Sequence, residues 1–165
     1  MEASAGLWAR PARNDDIRAI VALLRDVAAE DRWIRTELPF KTEERERRLS
    51  AALDVGTVVG VVVEERGTIV GQLTLKCVDD RGLLGMVVAA THRRRGVGRL
   101  LISAAIVAAR ERSLASIGLE VYANNVSAIA LYGVFGFVVA GEPGIDVRAN
   151  GDRWQTIPMT LEVTR

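Results

Sequence analysis

The chain has 165 residues, a length that suits one domain around one core. Hydrophobic residues make up 49% and charged residues 26%, as in ordinary globular proteins, and 22 Lys and Arg against 21 Asp and Glu leave a net charge of only +1. That balance excludes a global pull toward nucleic acid or an anionic membrane, so any basic site has to be local. One cysteine, Cys77, excludes an internal disulfide. With one histidine, His92, it excludes the usual zinc ligand sets, and no carboxylate spacing suggests another metal. No apolar run approaches the ~20 residues that span a bilayer, and Met1–Gly6 followed by Arg10 has no signal-peptide layout, so the expected location is the cytoplasm.

In chain order, Leu7 to Pro11 fits a first edge strand. Asn14-Asp15-Asp16 offers a helix cap, and Ile17, Ile20, Val21, Leu24 and Val27 recur at helical spacing, predicting a helix from about Asp15 to Ala29. Glu30 to Lys41 is irregular and breaks at Pro39, so it is expected as a loop carrying Trp33, Ile34, Leu38 and Phe40. Thr42 is placed to cap a second helix, with Glu43–Arg47 and Glu44–Arg48 as i,i+4 pairs on a solvated face and Leu49, Ala52 and Leu53 as its buried stripe. The β-branched run Thr57–Glu64, a turn at Glu65-Arg66-Gly67, a returning strand Thr68–Val78, a turn at Asp79–Gly82 and a third run Leu83–Ala90 read as an antiparallel meander. Gly60 and Gly71 inside it suggest bulges or close backbone packing. Helical spacing resumes at Val97, Leu100, Leu101, Ala104, Val107 and Ala108, giving a helix over about Gly96–Ser113. A strand at Ile117–Val121, a helix at Ser127–Phe135, a strand at Phe137–Ala140, an Asn150-Gly151 turn and a final strand Trp154–Val163 follow. The expected order is β-α-α-β-β-β-α-β-α-β-β. That is an α/β class with a single mixed, mostly antiparallel twisted sheet and helices on both faces, all within one domain spanning 1–165.

Chemistry concentrates where the third meander strand meets the next helix. The first amides of a helix have no internal partner and lie at the positive end of its dipole. Gly96 and Gly98 let a bulky anion approach that backbone, and Arg93, Arg94, Arg95 and Arg99 add full charges. The stretch therefore reads as a phosphate or pyrophosphate site, with a plain helix start as the alternative. It is neither a P-loop, which needs G-x-x-x-x-G-K-[ST], nor a dinucleotide fingerprint, which needs G-x-G-x-x-G in a parallel βαβ unit.

Arg93-Arg94-Arg95-Gly96-Val97-Gly98 resembles the Q/R-x-x-G-x-G/A motif of the GNAT superfamily of N-acetyltransferases. Leu119–Phe137, which contains Asn125, Leu131-Tyr132 and Gly136-Phe137, is similar to that superfamily's second motif, L-x-V-x-x-x-N-x-x-A-x-x-L-Y-x-x-x-G-F. The resemblance implies a GNAT-like fold and acetyl-CoA as the donor co-substrate. It implies that amides from Arg93 through Leu100 hold the pyrophosphate, including Gly96, Val97, Gly98 and Arg99. It also implies that Val88, Ala89 and Ala90 pair through their backbone with the pantetheine arm, on a strand that splays from its neighbour at a bulge. Arg94 stands where many members have glycine, which tightens the turn's conformational preference and adds charge. Asn125 matches a residue that contacts the donor's arm in relatives; a helix cap is the competing role for Asn125 and Asn124.

Tyr132 matches the tyrosine that protonates the departing thiolate in many relatives. A thiol pKa near ~8.5–10 and a phenol pKa near 10 suit that exchange. Glu120, twelve residues earlier, is the first choice for the base that deprotonates the attacking amine. The same spacing occurs in the branch acting on ribosomal-protein N-termini. A water relay to a backbone carbonyl competes with it, and Glu64, Glu30 and Asp31 rank behind. Cys77 reads as a small buried apolar group, His92 as a turn residue or donor neighbour, and Trp154 as core or rim.

The implied activity is direct transfer of an acetyl group to a primary amine on a small molecule or amino acid; a peptide N-terminus or a lysine is the alternative acceptor. A non-catalytic acyl-CoA binder and a nucleic-acid binder are the competing classes. Glu30, Trp33 and Glu37, with Asp31 nearby, are the expected acceptor-side residues, and their carboxylates suggest a cationic amine. The expected partners are acetyl-CoA and that amine, with no nucleic acid, no membrane and no metal. The resemblance also leaves a homodimer open.

Overall fold

The computed structural model describes residues 6–163. Eight strands and four helices follow one another as β1 (Leu7–Pro11), α1 (Ile17–Ala29), α2 (Thr42–Asp54), β2 (Val58–Glu65), β3 (Thr68–Val78), β4 (Arg81–Val88), α3 (Val97–Glu111), β5 (Ser116–Tyr122), α4 (Val126–Val134), β6 (Val138–Val139), β7 (Gly144–Val147) and β8 (Arg153–Glu162). The sheet runs β1-β2-β3-β4-β5-β8-β6, and β7 also pairs with β8. Every pairing is antiparallel except β4 with β5. This is the expected mixed sheet with one strand more than expected. The expected strand at Phe137–Ala140 shortens to β6, and a separate β7 precedes the Asn150-Gly151 turn.

Side-chain alternation gives the sheet two working faces. Leu73 and Leu75 of β3, with Ile117, Leu119 and Val121 of β5, join Val97, Leu101, Ile102, Ala105 and Ala109 of α3 in the main core. Gln72, Thr74 and Lys76, and Gly118, Glu120 and Tyr122, turn to the opposite face and line a large cleft. There α1 packs Leu23 and Val27 on Val87. Close packing explains Gly71, where a Cβ would stand 2.4 Å from Val97 Cγ1. The register of β2 on β3 shifts beside it, with Val63 opposite Gly71 and Glu64 opposite Ile69, so Val70 is an extra residue.

Several local expectations change. Asn14–Asp16 forms a 3-10 turn ahead of α1, and Asp16 accepts the Arg13 N–H at 2.7 Å. Lys41, not Thr42, is the N-cap of α2. Glu44–Arg48 forms, whereas Glu43–Arg47 does not appear among the ion pairs of the described residues. No residue of α2 is fully buried, because Leu49 and Ala52 line the cleft instead of closing a core. Asn125, not Asn124, caps α4, accepting the Ala128 N–H at 3.2 Å.

Candidate active site

The one parallel pair is where the sheet opens. β4 and β5 are in register only from Arg81/Ser116 to Leu83/Gly118, and beyond that point they separate. The opening comes from the end of this pairing. The β3–β4 register runs unshifted from Val78/Arg81 to Gly71/Val88, so the expected bulge in β4 is not its source. Ala89 gives its N–H to Val70 O at 2.9 Å. Alternation along the strand then turns the main-chain groups of Val88 and Met86 away from β3, toward the gap. Of the three residues expected to grip an extended donor, Val88 faces the opening. Ala89 faces β3, and Ala90 begins a 3-10 turn beside a separate shallow depression. Met86 is the position that sequence reading missed, and the same alternation rule identifies it.

The strand leads into the basic turn. Gly96 caps α3 at φ 89°, a left-handed conformation that suits glycine, and nothing lies within 4 Å of a Cβ built there. Leu100 is the first residue of the helix to close a bond, to Gly96 O at 3.1 Å. The N–H groups of Val97, Gly98 and Arg99 before it are left for an anion. Arg94 sits at φ 62°, so the position that holds glycine in many relatives keeps a left-handed backbone here at some conformational cost.

The four arginines divide their work. Arg93 binds Glu30 at 2.5 and 2.8 Å and reaches Val88 O at 3.3 Å. Arg95 binds Glu65 at 2.5 Å, which also meets His92 Nε2 at 2.9 Å. Arg94 and Arg99 line the cleft and have no ion pair among the described residues, so they are the charges available at the turn. The side chains of Val97 and Leu100 belong to the core and its margin; only their amides are at the turn.

A cleft of about 1600 Å³ joins this turn to the gap and to the face covered by α1 and α2. It brings together Val88, Arg93, Arg94, Gly96, Gly98, Arg99, Glu120, Asn125, Tyr132 and Trp33. Gly98 permits the approach of α4, since a Cβ there would lie 2.7 Å from Leu131 Cδ2. Tyr132 follows on α4, its ring packed against Phe137 at 5.6 Å and 7% exposed. Burial alone pushes its phenol up to about 12, so it stays protonated throughout the neutral range.

The acceptor side differs from expectation. Glu120 projects from β5 and is bound by Arg35 at 2.5 Å, so a guanidinium sits on the carboxylate named as base. Arg35 also reaches Asp146 at 3.4 Å. Asp146 accepts the Tyr122 hydroxyl at 2.5 Å, which holds its carboxyl below the usual carboxylate range. Tyr122 is raised to about 12, by burial first and then by its bond to Asp146. Arg148, only 3% exposed, completes the network. It donates to Tyr122 Oη (2.8 Å), Asp31 (2.5 Å) and the carbonyls of Ile34 (3.3 Å) and Arg35 (3.2 Å), and it lies 4.8 Å over the Trp154 ring.

The expected acceptor carboxylates each have a protein partner. Glu30 accepts from Arg93 and from the Trp33 indole (2.7 Å), which holds it below the usual range. Glu37 accepts the Ala149 N–H at 2.9 Å, and Asp31 is bound by Arg148. Neither Glu30 nor Glu37 lines the large cleft, whereas Trp33 does. Glu64 is held by Arg10 at 2.9 Å, and Cys77 packs at the margin of the core. Tyr122, Arg35, Asp146 and Arg148 were missed. Tyr122 was detectable as the next same-face residue after Glu120; the others depend on partners far along the chain. No group of His, Cys, Asp and Glu among the described residues is arranged to hold a metal, and no helix among them is long and apolar enough to cross a membrane.

Among the described residues, a sheet split at its parallel pair, a glycine-capped helix start with free amides and a buried phenol all border one elongated cleft. The family model described as Acetyltransferase (GNAT) family matches residues 21–137, and the chain belongs to that family. It is 37% identical over 65 residues to the [ribosomal protein bS18]-alanine N-acetyltransferase of Escherichia coli K12. That match covers 39% of this chain and 44% of the relative, so the chain spans less than half the length of the curated relatives it matches. Among solved structures, an N-acetyltransferase from Staphylococcus aureus superposes with a TM-score of 0.87 at 20% identity, covering 97% of this chain and all of that one. A ribosomal-protein-alanine N-acetyltransferase from Brucella melitensis gives 0.84 at 25% identity, covering 93% and 98%. A Salmonella typhimurium structure described as a putative acetyltransferase with its cofactor acetyl-CoA gives 0.85 at 22% identity, covering 97% and 95%.

Proposed function

We propose that the protein moves an acetyl group from acetyl-CoA to a primary amine on a small molecule or amino acid, by direct attack with both substrates bound. The observation that carries this reading is the break in β4–β5 pairing beyond Leu83/Gly118. It leaves the Met86 and Val88 backbone facing a gap that runs from the α3 turn toward Tyr132 and Glu120. The residues fit such a donor. The free amides of Val97, Gly98 and Arg99, with Arg94 and Arg99, take the pyrophosphate, and Gly96 leaves room for it. Met86 and Val88 offer strand-edge groups to the pantetheine amides. The Oδ1 of Asn125 is used in the cap, which leaves its amide N–H groups for the donor's arm.

Acetyl-CoA supplies the acetyl group and departs as the thiol. Tyr132 holds a proton on its buried hydroxyl and delivers it to the leaving sulfur. Glu120 takes the proton from the amine once Arg35 has left it. In Glu120→Gln, kcat/KM for the amine should fall about 100-fold, at the lower end for a lost general base, and the acidic limb of the pH–rate profile should flatten. An unchanged profile would assign the base to a water relay.

A peptide N-terminus is the second reading for the acceptor, favoured by the 37% identical segment shared with the ribosomal-protein enzyme. A panel of small amines and an alanine-initiated peptide, read by thiol release, separates the two. A homodimer through the outer β6–β7 edge belongs to the same proposal. Val138, Val139, Ile145 and Val147 are exposed there, and a monomer in sedimentation would remove it.

A further inference from the structure

The acceptor side of the cleft is unbalanced in charge. Lys76 and Arg81 rise from its floor, and Arg35, Lys41, Arg45 and Arg48 hang from its roof. Against these six cations the cleft shows two carboxylates, Glu44 and Glu120. Both are already taken, Glu44 by Arg48 and Glu120 by Arg35 at 2.5 Å. Lys41, Arg45, Lys76 and Arg81 have no carboxylate partner among the described residues. Arg45 instead stacks on Phe40 at 4.5 Å. The whole chain carries only +1, so this excess is concentrated at one place. The acids that could have drawn a cation, Glu30, Asp31 and Glu37, are held by Arg93 and Arg148.

The same floor carries a second mark of a ligand. Gln72 is 6% exposed, and its Oε1 is buried without a hydrogen-bond partner. An amide oxygen accepts, so what suits it on the cleft wall is an N–H donor of a bound molecule, such as the amine that the same acceptor carries.

Geometry connects the cationic floor to the reacting end. Arg81 Nη2 lies 3.9 Å from the position of a Cβ on Gly118, which puts the guanidinium over β5 beside the same-face neighbour of Glu120. Same-face positions on a strand are about 7 Å apart, a span that one small molecule bridges. Arg35 and Glu120 are both half exposed, with side-chain exposures of 58% and 48%, so their bond faces water and opens readily.

We infer that the acceptor is a small amine that also carries a negative charge, a carboxylate or a comparable oxyanion. Arg81 and Lys76 hold its anion on the floor, and Arg35 transfers to that anion and so releases Glu120 for the amine. The inference rests on the acetyl-transfer reading above and narrows its acceptor to a class. It removes purely cationic amines such as polyamines.

The test compares an amino acid with its methyl ester, and both with spermidine, by thiol release from acetyl-CoA. It uses the wild-type chain and the double variant Lys76→Gln/Arg81→Gln, both positions being exposed. The free acid should exceed the ester in kcat/KM by about tenfold, the scale of one charge-assisted contact. That advantage should shrink in high salt and disappear in the double variant, while KM for acetyl-CoA stays unchanged. Equal turnover of acid and ester, a preference for spermidine, or a double variant that keeps the advantage would overturn the proposal and leave acetyl transfer standing. A calorimetric titration with glutarate separates the two ideas. Binding to the wild type that is lost in the double variant supports the anion site even if no amine is acetylated, and absence of wild-type binding overturns it.

Discussion

Replacing Arg148 by Met keeps most of the side-chain volume and removes the guanidinium that joins the Asp31–Glu37 loop to β5 and β7. Removing one partner of a buried ion pair costs about 3–5 kcal/mol when the other charge is left dry. Here Asp31 is 61% and Glu37 33% exposed, so both recover water, and Asp146, 15% exposed and 3.6 Å from Arg148, keeps Arg35 and the Tyr122 hydroxyl, so the penalty is smaller. What remains is the loss of donors to Ile34 O, Arg35 O and the Tyr122 hydroxyl, at about 1 kcal/mol each. The stacking over Trp154 at 4.8 Å adds a fraction of that. The expected cost is about 3 kcal/mol, measured as a lower urea midpoint at unchanged m-value. Because the loop carries Trp33 and Arg35, KM for the amine should rise several-fold while KM for acetyl-CoA changes little. Arg148→Lys should recover only part of the stability, since an ammonium does not reproduce the fork. A loss below about 1 kcal/mol together with an unmoved amine KM would refute the view that Arg148 fixes the acceptor side.

Three further expectations follow from single sites. Asp16 is 8% exposed, and Arg10 holds its carboxyl below the usual range through bonds of 2.7 and 2.8 Å. A depressed carboxylate contributes stability above its unfolded pKa and loses it as pH falls through the folded value. Asp16→Asn should therefore cost about 2–3 kcal/mol at pH 7, and progressively less as pH falls below the ordinary carboxylate range toward the depressed folded value, by urea melts across pH. Arg94→Gly relieves the left-handed backbone at φ 62° and removes a free charge from the donor turn. Stability should hold or rise by up to about 1 kcal/mol in thermal melts, while KM for acetyl-CoA rises most at low salt. Since the Tyr132 phenol is pushed up to about 12, the basic limb of the pH–rate profile should not fall below about pH 10 because of it. A break near pH 9 that survives in Tyr132→Phe belongs to another group.

Elements whose partners are local were readable before the fold was known. The apolar spacing of α1 and α3, the meander of β2 to β4, and the glycines of the donor turn all follow from neighbours a few residues apart. What failed depends on distance along the chain. Arg93 and Arg95 looked equivalent to Arg94 and Arg99, but Glu30 lies 63 residues from Arg93 and Glu65 lies 30 from Arg95. The acids of the acceptor loop looked free because Arg148, 117 residues from Asp31, was not seen to reach them. The stripe on α2 was correct in spacing and wrong in consequence, since its apolar residues wall a cleft. Alternation on β4 and β5 would have identified Met86 and Tyr122, whereas the ion-pair network needed the folded sheet.

The most direct measurement is thiol release from acetyl-CoA in the presence of the amine panel, comparing the wild type with Tyr132→Phe. Amine-dependent release in the wild type, about 100-fold slower in the variant at an unchanged KM for acetyl-CoA, is the expected result for a proton donor placed in the gap. Equal turnover by the two proteins, or no acceleration by any amine, would contradict it.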